Sequence, residues 1–118
     1  MKHLIIIGAG GMGRTLYDLA RESHGYGTDY DIIGFIDDNI EALNNFANYP
    51  PVIAPIKGYQ PNEHEVFICS IGGPARRNCM EEIISKGGRF LTMIHHTARI
   101  GTNVQIGEGT IVGAFSAI

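Results

Sequence analysis

The apolar positions fall into three patterns along the chain, and the first is an uninterrupted aliphatic run. His3 is followed by Leu4, Ile5, Ile6 and Ile7, which stop at a glycine cluster. Apolar residues at successive positions predict a strand covered on both faces, as in a parallel sheet. After the cluster the period changes. Leu16, Leu19 and Ala20 share one face of a predicted helix from Gly13 to about Ser23, ended by Gly25 and Gly27. Asp31 to Ile36 reads as a second strand, and a short helix is expected from Ile40 to Phe46. Pro50, Pro51, Pro55 and Pro61 then exclude a long regular element, leaving Val52-Ile53 as a short edge strand. Val66 to Ile71 is a third strand. Pro74 suits the first turn of a helix predicted over 74–86, with Met80, Ile83 and Ile84 inward, and Gly87-Gly88 stop it. Phe90 to Ile94 is the last strand of this part. Strands alternating with helices in this order predict a parallel α/β sheet with right-handed crossovers.

The third pattern has a period of six. Ile94, Ile100, Ile106, Val112 and Ile118 recur at that spacing, with Gly101, Gly107 and Gly113 each directly after its aliphatic residue. Val104, Thr110 and Ser116 supply small or β-branched residues at the same interval. Six matches neither a helix nor an amphipathic strand, but it fits a β-helix that turns a corner every six residues, the aliphatic side chain pointing inward. The expectation is thus an α/β domain with a parallel sheet over residues 1–93, followed by the start of a parallel β-helix over 94–118. The pattern stops at the last residue, so the chain reads as a fragment or a short form of a longer enzyme.

Composition narrows the partners. A net charge of -3 without a basic cluster argues against nucleic acid. No stretch approaches the ~20 apolar residues of a membrane span. Cys69 and Cys79 form no C-x-x-C pair and stand at no zinc spacing to the histidines, so they read as free thiols in a reducing compartment, the cytoplasm by default. No metal site is expected.

Gly8-Ala9-Gly10-Gly11-Met12-Gly13 fits G-x-G-x-x-G between a predicted strand and a predicted helix, the context the motif requires. Gly8 permits the tight turn, Gly10 lets backbone approach a phosphate, and Gly13 lets helix and strand pack closely. The free N–H groups from Gly11 to Gly13 face the anion. Asp37 and Asp38 follow Gly13 by 24 and 25 residues, at the carboxyl end of the second strand, where a carboxylate accepts from a ribose or a base. Asp37 is the better ligand candidate of the two; the alternative is an acidic turn that caps the next segment, with Asp38 or Asn39 as the cap. Gly72 and Gly73, after the third strand, belong to the same sheet edge, and Arg77 follows in the next helix. A dinucleotide fold ordinarily uses two βαβαβ halves. Only about 93 residues precede the six-residue repeats, which favours a single nucleotide or a nucleotide sugar over NAD.

In combination, "LIIIGAGGMGR", "IIGFIDDN", the I-G-G turn and "MIHHTARIGTNVQIGEGTIVG" resemble the bacterial sugar acetyltransferases of the sialic acid O-acetyltransferase and UDP-4-amino-sugar N-acetyltransferase type. The resemblance covers essentially the whole chain. It implies that residues 1–93 are a Rossmann-like domain that binds the nucleotide-sugar or sialic acid acceptor and that 94–118 begin a left-handed parallel β-helix, which trimerises and holds acetyl-CoA between subunits. The acceptor contacts it implies are Gly10, Gly11, Met12, Asp37, Asp38, Gly72 and Gly73. Met12 stands where the family commonly has histidine, and His95-His96 where it commonly has His-Pro. The family's catalytic histidine lies further along the β-helix, and nothing before Ile118 matches its motif. No catalytic residue is therefore assigned, and the chain alone is expected not to turn over. Two other readings stay open: an NAD(P)-using oxidoreductase or regulatory nucleotide-binding module, and an assembly domain without a ligand.

Overall fold

The computed structural model describes all residues, Met1–Ile118. Its centre is a five-stranded, wholly parallel sheet built from β1 (Lys2–Ile7), β2 (Tyr30–Ile36), β3 (Val52–Ala54), β4 (Glu65–Cys69) and β5 (Arg89–Phe90). The spatial order is β3-β2-β1-β4-β5. Strand β1 is thus central, and the connection direction reverses between it and β4, which is the topology of a Rossmann-like half-sheet. Helix α1 (Gly11–Arg21) and helix α2 (Gly73–Ser85) provide the crossovers.

The aliphatic run does what two-sided burial requires. Leu4 and Ile6 join Leu16, Ala20, Tyr30, Phe35 and Ile68 in one buried cluster. Ile5 and Ile7 join Ile36, Phe67, Ile83 and Phe90 in the other. Four successive side chains of β1 are fully buried because alternate residues enter cores on opposite faces. The register of β1 on β2 shifts between Leu4 and Ile5. Gly34 lies beside that shift and admits the edge strand: a Cβ there would stand 2.6 Å from the Pro51 carbonyl oxygen.

Three expectations are corrected. The segment from Ile40 to Phe46 is not a helix. It is a chain of separate turns, closed by Ala42 N–H to Asn39 O, Asn44 N–H to Glu41 O and Phe46 N–H to Leu43 O. Asn39 caps it as a helix start would, its Oδ1 accepting from Glu41 N–H. Seven residues containing Asn44-Asn45 are too short and too weak in propensity to propagate. In α2, Ile83 is buried but Ile84 is 55% exposed. Cys79 and Met80 instead join Ile83 against the sheet, since residues three and four apart share a helix face. The strand expected over 90–94 is two strands: β5 ends at Phe90, and β6 (Met93–Ile94) turns away to pair with β7 (Ile111–Val112).

Residues 93–118 form a coil that returns beside itself. Met93 pairs in parallel with Ile111, Ile94 with Val112, and Arg99 with Ala117. Each pairing spans eighteen residues, three of the six-residue units. Ala98, Val104, Thr110 and Ser116 each donate a backbone N–H to the carbonyl three residues earlier, so a turn closes every six residues. Val112 is buried, and Ile94, Ile100 and Ile106 are half-buried. Ile118 is 51% exposed. The coil is fastened to the sheet domain: Met93 is fully buried in the α1-side core, and His95 is buried at the end of α1.

Candidate functional site

The carboxyl ends of β1 and β4 lie side by side, and a glycine-rich turn leaves each. After β1, Gly8 adopts φ +92° and donates its N–H to Ile36 O at 2.8 Å. A Cβ on Gly13 would lie only 1.9 Å from the Gly8 carbonyl oxygen, so this glycine sets how closely α1 crosses β1. Ser70, directly after β4, holds the turn from the other side, its hydroxyl bridging Ile7 O (2.8 Å) and Gly8 O (3.1 Å).

Between these constrained points the loop is open. A Cβ on Gly10 meets nothing within 4 Å, and one on Gly11 meets only the Arg14 guanidinium at 3.8 Å. Gly10 is the N-cap of α1 and makes no side-chain cap bond, and the first turn holds no acidic residue. The same is true of α2, whose N-cap is Gly72. Gly72 and Gly73 also face open space, and Gly73 has φ +66°, a left-handed conformation suited to glycine. Two uncapped helix starts therefore flank the reversal of the sheet, each with orphan N–H donors and a partial positive charge. Such a pair attracts an anion.

All seven residues expected at the acceptor site come to this one edge, but the two aspartates are partly spent on the fold. Asp37 accepts Ala9 N–H on Oδ2 (2.8 Å) and Asn39 N–H on Oδ1 (2.8 Å), tying the glycine loop to the end of β2. Asp38 accepts Lys57 N–H on Oδ1 at 3.0 Å. It also lines a groove of about 350 Å³ with Ile56, Lys57, Ile71, Asn78 and Glu82, adjoining the start of α2. A second groove of about 340 Å³ lies between α2 and the coil, lined by Met80, Ile84, Phe90 and the Arg89–Glu108 ion pair, away from the glycine-rich turns. Met12 is 58% exposed beside the loop. Arg77 points outward and pairs with Glu81 at 2.9 Å. Its neighbour Arg76 turns inward and donates to Cys69 O at 2.7 Å.

Sequence reasoning did not single out Ser70, Lys57 or Arg14. The first two act through contacts distant in sequence, which no local pattern announces. Arg14 had a signal, a cation in the first turn behind a glycine loop.

The junction histidines are occupied elsewhere. Thr97 N–H donates to His95 Nδ1 (3.0 Å), so Nε2 carries the proton and donates to Glu22 Oε1 at 2.6 Å. His96 Nδ1 donates to Glu22 O at 2.8 Å. No set of three His, Cys, Asp or Glu side chains is grouped to hold a metal ion. No helix is long and apolar enough to cross a membrane. Cys69 is buried and Cys79 half-buried, both as free thiols, and burial pushes Cys79 up to about 11.

Comparison with known proteins adds relatives of defined chemistry. Residues 3–83 match the family described as PglD N-terminal domain. UDP-N-acetylbacillosamine N-acetyltransferase of Bacillus subtilis (strain 168) is 24% identical over 119 aligned positions, covering 97% of this chain and 52% of that one. The acetyltransferase domain of PglB from Neisseria gonorrhoeae FA1090 superposes with a TM-score of 0.79 at 27% identity, covering 99% of this chain and 56% of that one. The same domain in complex with acetyl coenzyme A gives 0.77 at 28% identity, with coverages of 98% and 55%. The chain thus spans about half the length of these relatives.

Proposed function

Because this chain belongs to the PglD N-terminal domain family, we propose that it is the acceptor-binding part of an acetyl-CoA-dependent acetyltransferase acting on a nucleotide-linked amino sugar. The observation that carries the reading is the open backbone at Gly10-Gly11 and Gly72-Gly73, where two uncapped helix starts meet at the reversal of a parallel sheet. A diphosphate fits that pair of positive helix ends. Asp38 and the groove beside it suit the nucleoside, and Asp37 holds the loop in its binding shape. Met12 borders the sugar.

In this reading residues 1–93 are the nucleotide-sugar domain and residues 94–118 the first coil of a left-handed β-helix. The eighteen-residue parallel register supports the second assignment. The relatives' chemistry supplies the donor: one is named as an acetyltransferase for a UDP-linked sugar, and another binds acetyl coenzyme A. By resemblance the complete enzyme is a homotrimer, with acetyl-CoA between subunits. Acyl transfer needs a base on the acceptor amine or hydroxyl. His95 has both ring nitrogens engaged and is buried, so it does not serve as that base. By resemblance the catalytic histidine lies further along the β-helix, and on this reading residues 1–118 alone bind acceptor without turnover.

Thermal melting of the chain with UDP, a UDP-linked amino sugar, a sialic acid and NADH tests the reading. A ligand at a hundred times its Kd adds about 2.7 kcal/mol, which for ~100 residues raises Tm by about 10 °C or more. UDP and the UDP-sugar are expected to give such shifts and NADH none. Stabilisation by NADH alone, or by no nucleotide, would overturn the proposal.

A further inference from the structure

Arg14 sits in the first turn of α1, and its guanidinium folds back over the glycine loop. Nη1 donates to the Ala9 carbonyl oxygen at 3.2 Å. Nη2 is 3.8 Å from where a Cβ on Gly11 would stand. The guanidinium carbon lies 3.8 Å from the centroid of the Phe46 ring. None of the chain's side-chain ion pairs includes Arg14; the basic partners in them are His3, His64, Arg77, Lys86, Arg89 and His95. A full positive charge is thus held at the mouth of the open loop with one of its five donors committed. The ring on which it rests fixes its plane without neutralising it, since a π face attracts a cation but carries no net charge.

We propose that Arg14 is a phosphate-binding residue of this site, taking one phosphate of a nucleoside diphosphate, and that Phe46 is the positioning residue that presents it. The inference rests on the nucleotide reading above. The helix starts supply neutral N–H donors, whereas a diphosphate brings at least two negative charges. Arg14 provides the unit charge that balances one of them. Its planar fork matches phosphate oxygens, and its charge-assisted hydrogen bonds are about twice as strong as neutral ones. Phe46 belongs to the turns between β2 and β3, so that segment gains a role: it sets the orientation of the cation.

The test compares UDP, UMP and uridine binding by calorimetry for the wild type, Arg14→Met, Arg14→Lys and Phe46→Leu. Wild type is expected to bind UDP more tightly than uridine. Arg14→Met should weaken UDP by about tenfold or more and leave uridine unchanged. Arg14→Lys should recover part of the loss, and Phe46→Leu should lose less than Arg14→Met while keeping the same selectivity for UDP. Unchanged UDP affinity in Arg14→Met, with wild type binding, overturns the role of Arg14 and leaves the nucleotide reading standing. An equal loss of UDP and uridine also overturns it, since that marks a brace of the loop. Failure of wild type to bind either ligand overturns both proposals together.

Discussion

Gly10 and Gly13 stand three residues apart in one motif and do opposite work. Gly13 is demanded by the fold, because a methyl there would meet backbone at 1.9 Å. Gly10 is demanded by nothing within the chain, because a methyl there would enter open space. Gly13→Ala must push α1 off β1, and overpacking against backbone is expected to cost about 3 kcal/mol or more, read as a lower urea midpoint. Gly10→Ala replaces an N-cap glycine of extended conformation and should cost within about 1 kcal/mol. Its loss should appear in UDP affinity, as the methyl occupies the space a phosphate needs. Equal destabilisation by both substitutions would contradict this division. The same contrast applies to the acid pair: Asp37 is committed to two backbone N–H groups, while Asp38 keeps one oxygen free of the hydrogen bond to Lys57. The sequence favours Asp37 as the ligand, yet Asp37 is the one tied to the glycine loop and Asp38 the one with an oxygen to spare; both carboxylates satisfy the same D-D-N pattern, so the division of labour was not legible there.

Among the elements, α1 shows how a long-range contact finishes what a local pattern begins. The helix stops at Arg21, short of the glycines expected to end it. Tyr30, from the start of β2, reaches back and donates its hydroxyl to Ala20 O at 2.6 Å, satisfying a carbonyl in the last turn. Burial, with Tyr26 and Asp29 nearby, pushes the Tyr30 phenol up to about 12, against a smaller opposing effect of Ser23. Tyr59 is shifted the same way, first by burial and then by its bond to the Glu65 carboxylate. The sign follows from linkage. A phenol whose proton is held more tightly in the folded state contributes its full stability below the unfolded value of about 10, and loses it as pH rises through the folded value. Urea midpoints are therefore expected to fall between about pH 10 and 12. Tyr30→Phe should flatten part of that fall and cost about 1 kcal/mol at neutral pH. A midpoint unchanged across that range would refute the assignment.

At the scale of the molecule, the sheet and the coil differ in how much they bury. The sheet buries β1 on both faces, whereas the coil has Val112 as its one buried repeat aliphatic and leaves Ile118 and Phe115 exposed. The coil is held by Met93 in the core, by the Glu22 corner with His95 and His96, and by Arg89 with Glu108 at 3.4 Å. Segments with few buried contacts open locally before the whole protein does. Amide hydrogen exchange is expected to be fastest, among hydrogen-bonded amides, at Arg99, Gly101 and Ile118, and slowest at Ile5, Phe67 and Ile68. Glu22→Ala should speed exchange at His95 and His96 and leave β1 unchanged. Uniform protection across both units would contradict this picture.

Periodicity determined what is local. The unbroken run at Leu4–Ile7 specified a strand buried on both sides, the glycine cluster specified where it turned into a helix, and the six-residue repeat specified a turn at each sixth position. These follow from the chain alone because each reflects backbone geometry repeated within a few residues. Only the tertiary structure decided directions and partners: Asp37 turned under Ala9, Ile84 turned outward, one expected strand divided between two sheets, and Arg14 laid on Phe46 over the loop. Those outcomes depend on which distant surface arrives opposite each side chain, and no short pattern carries that information.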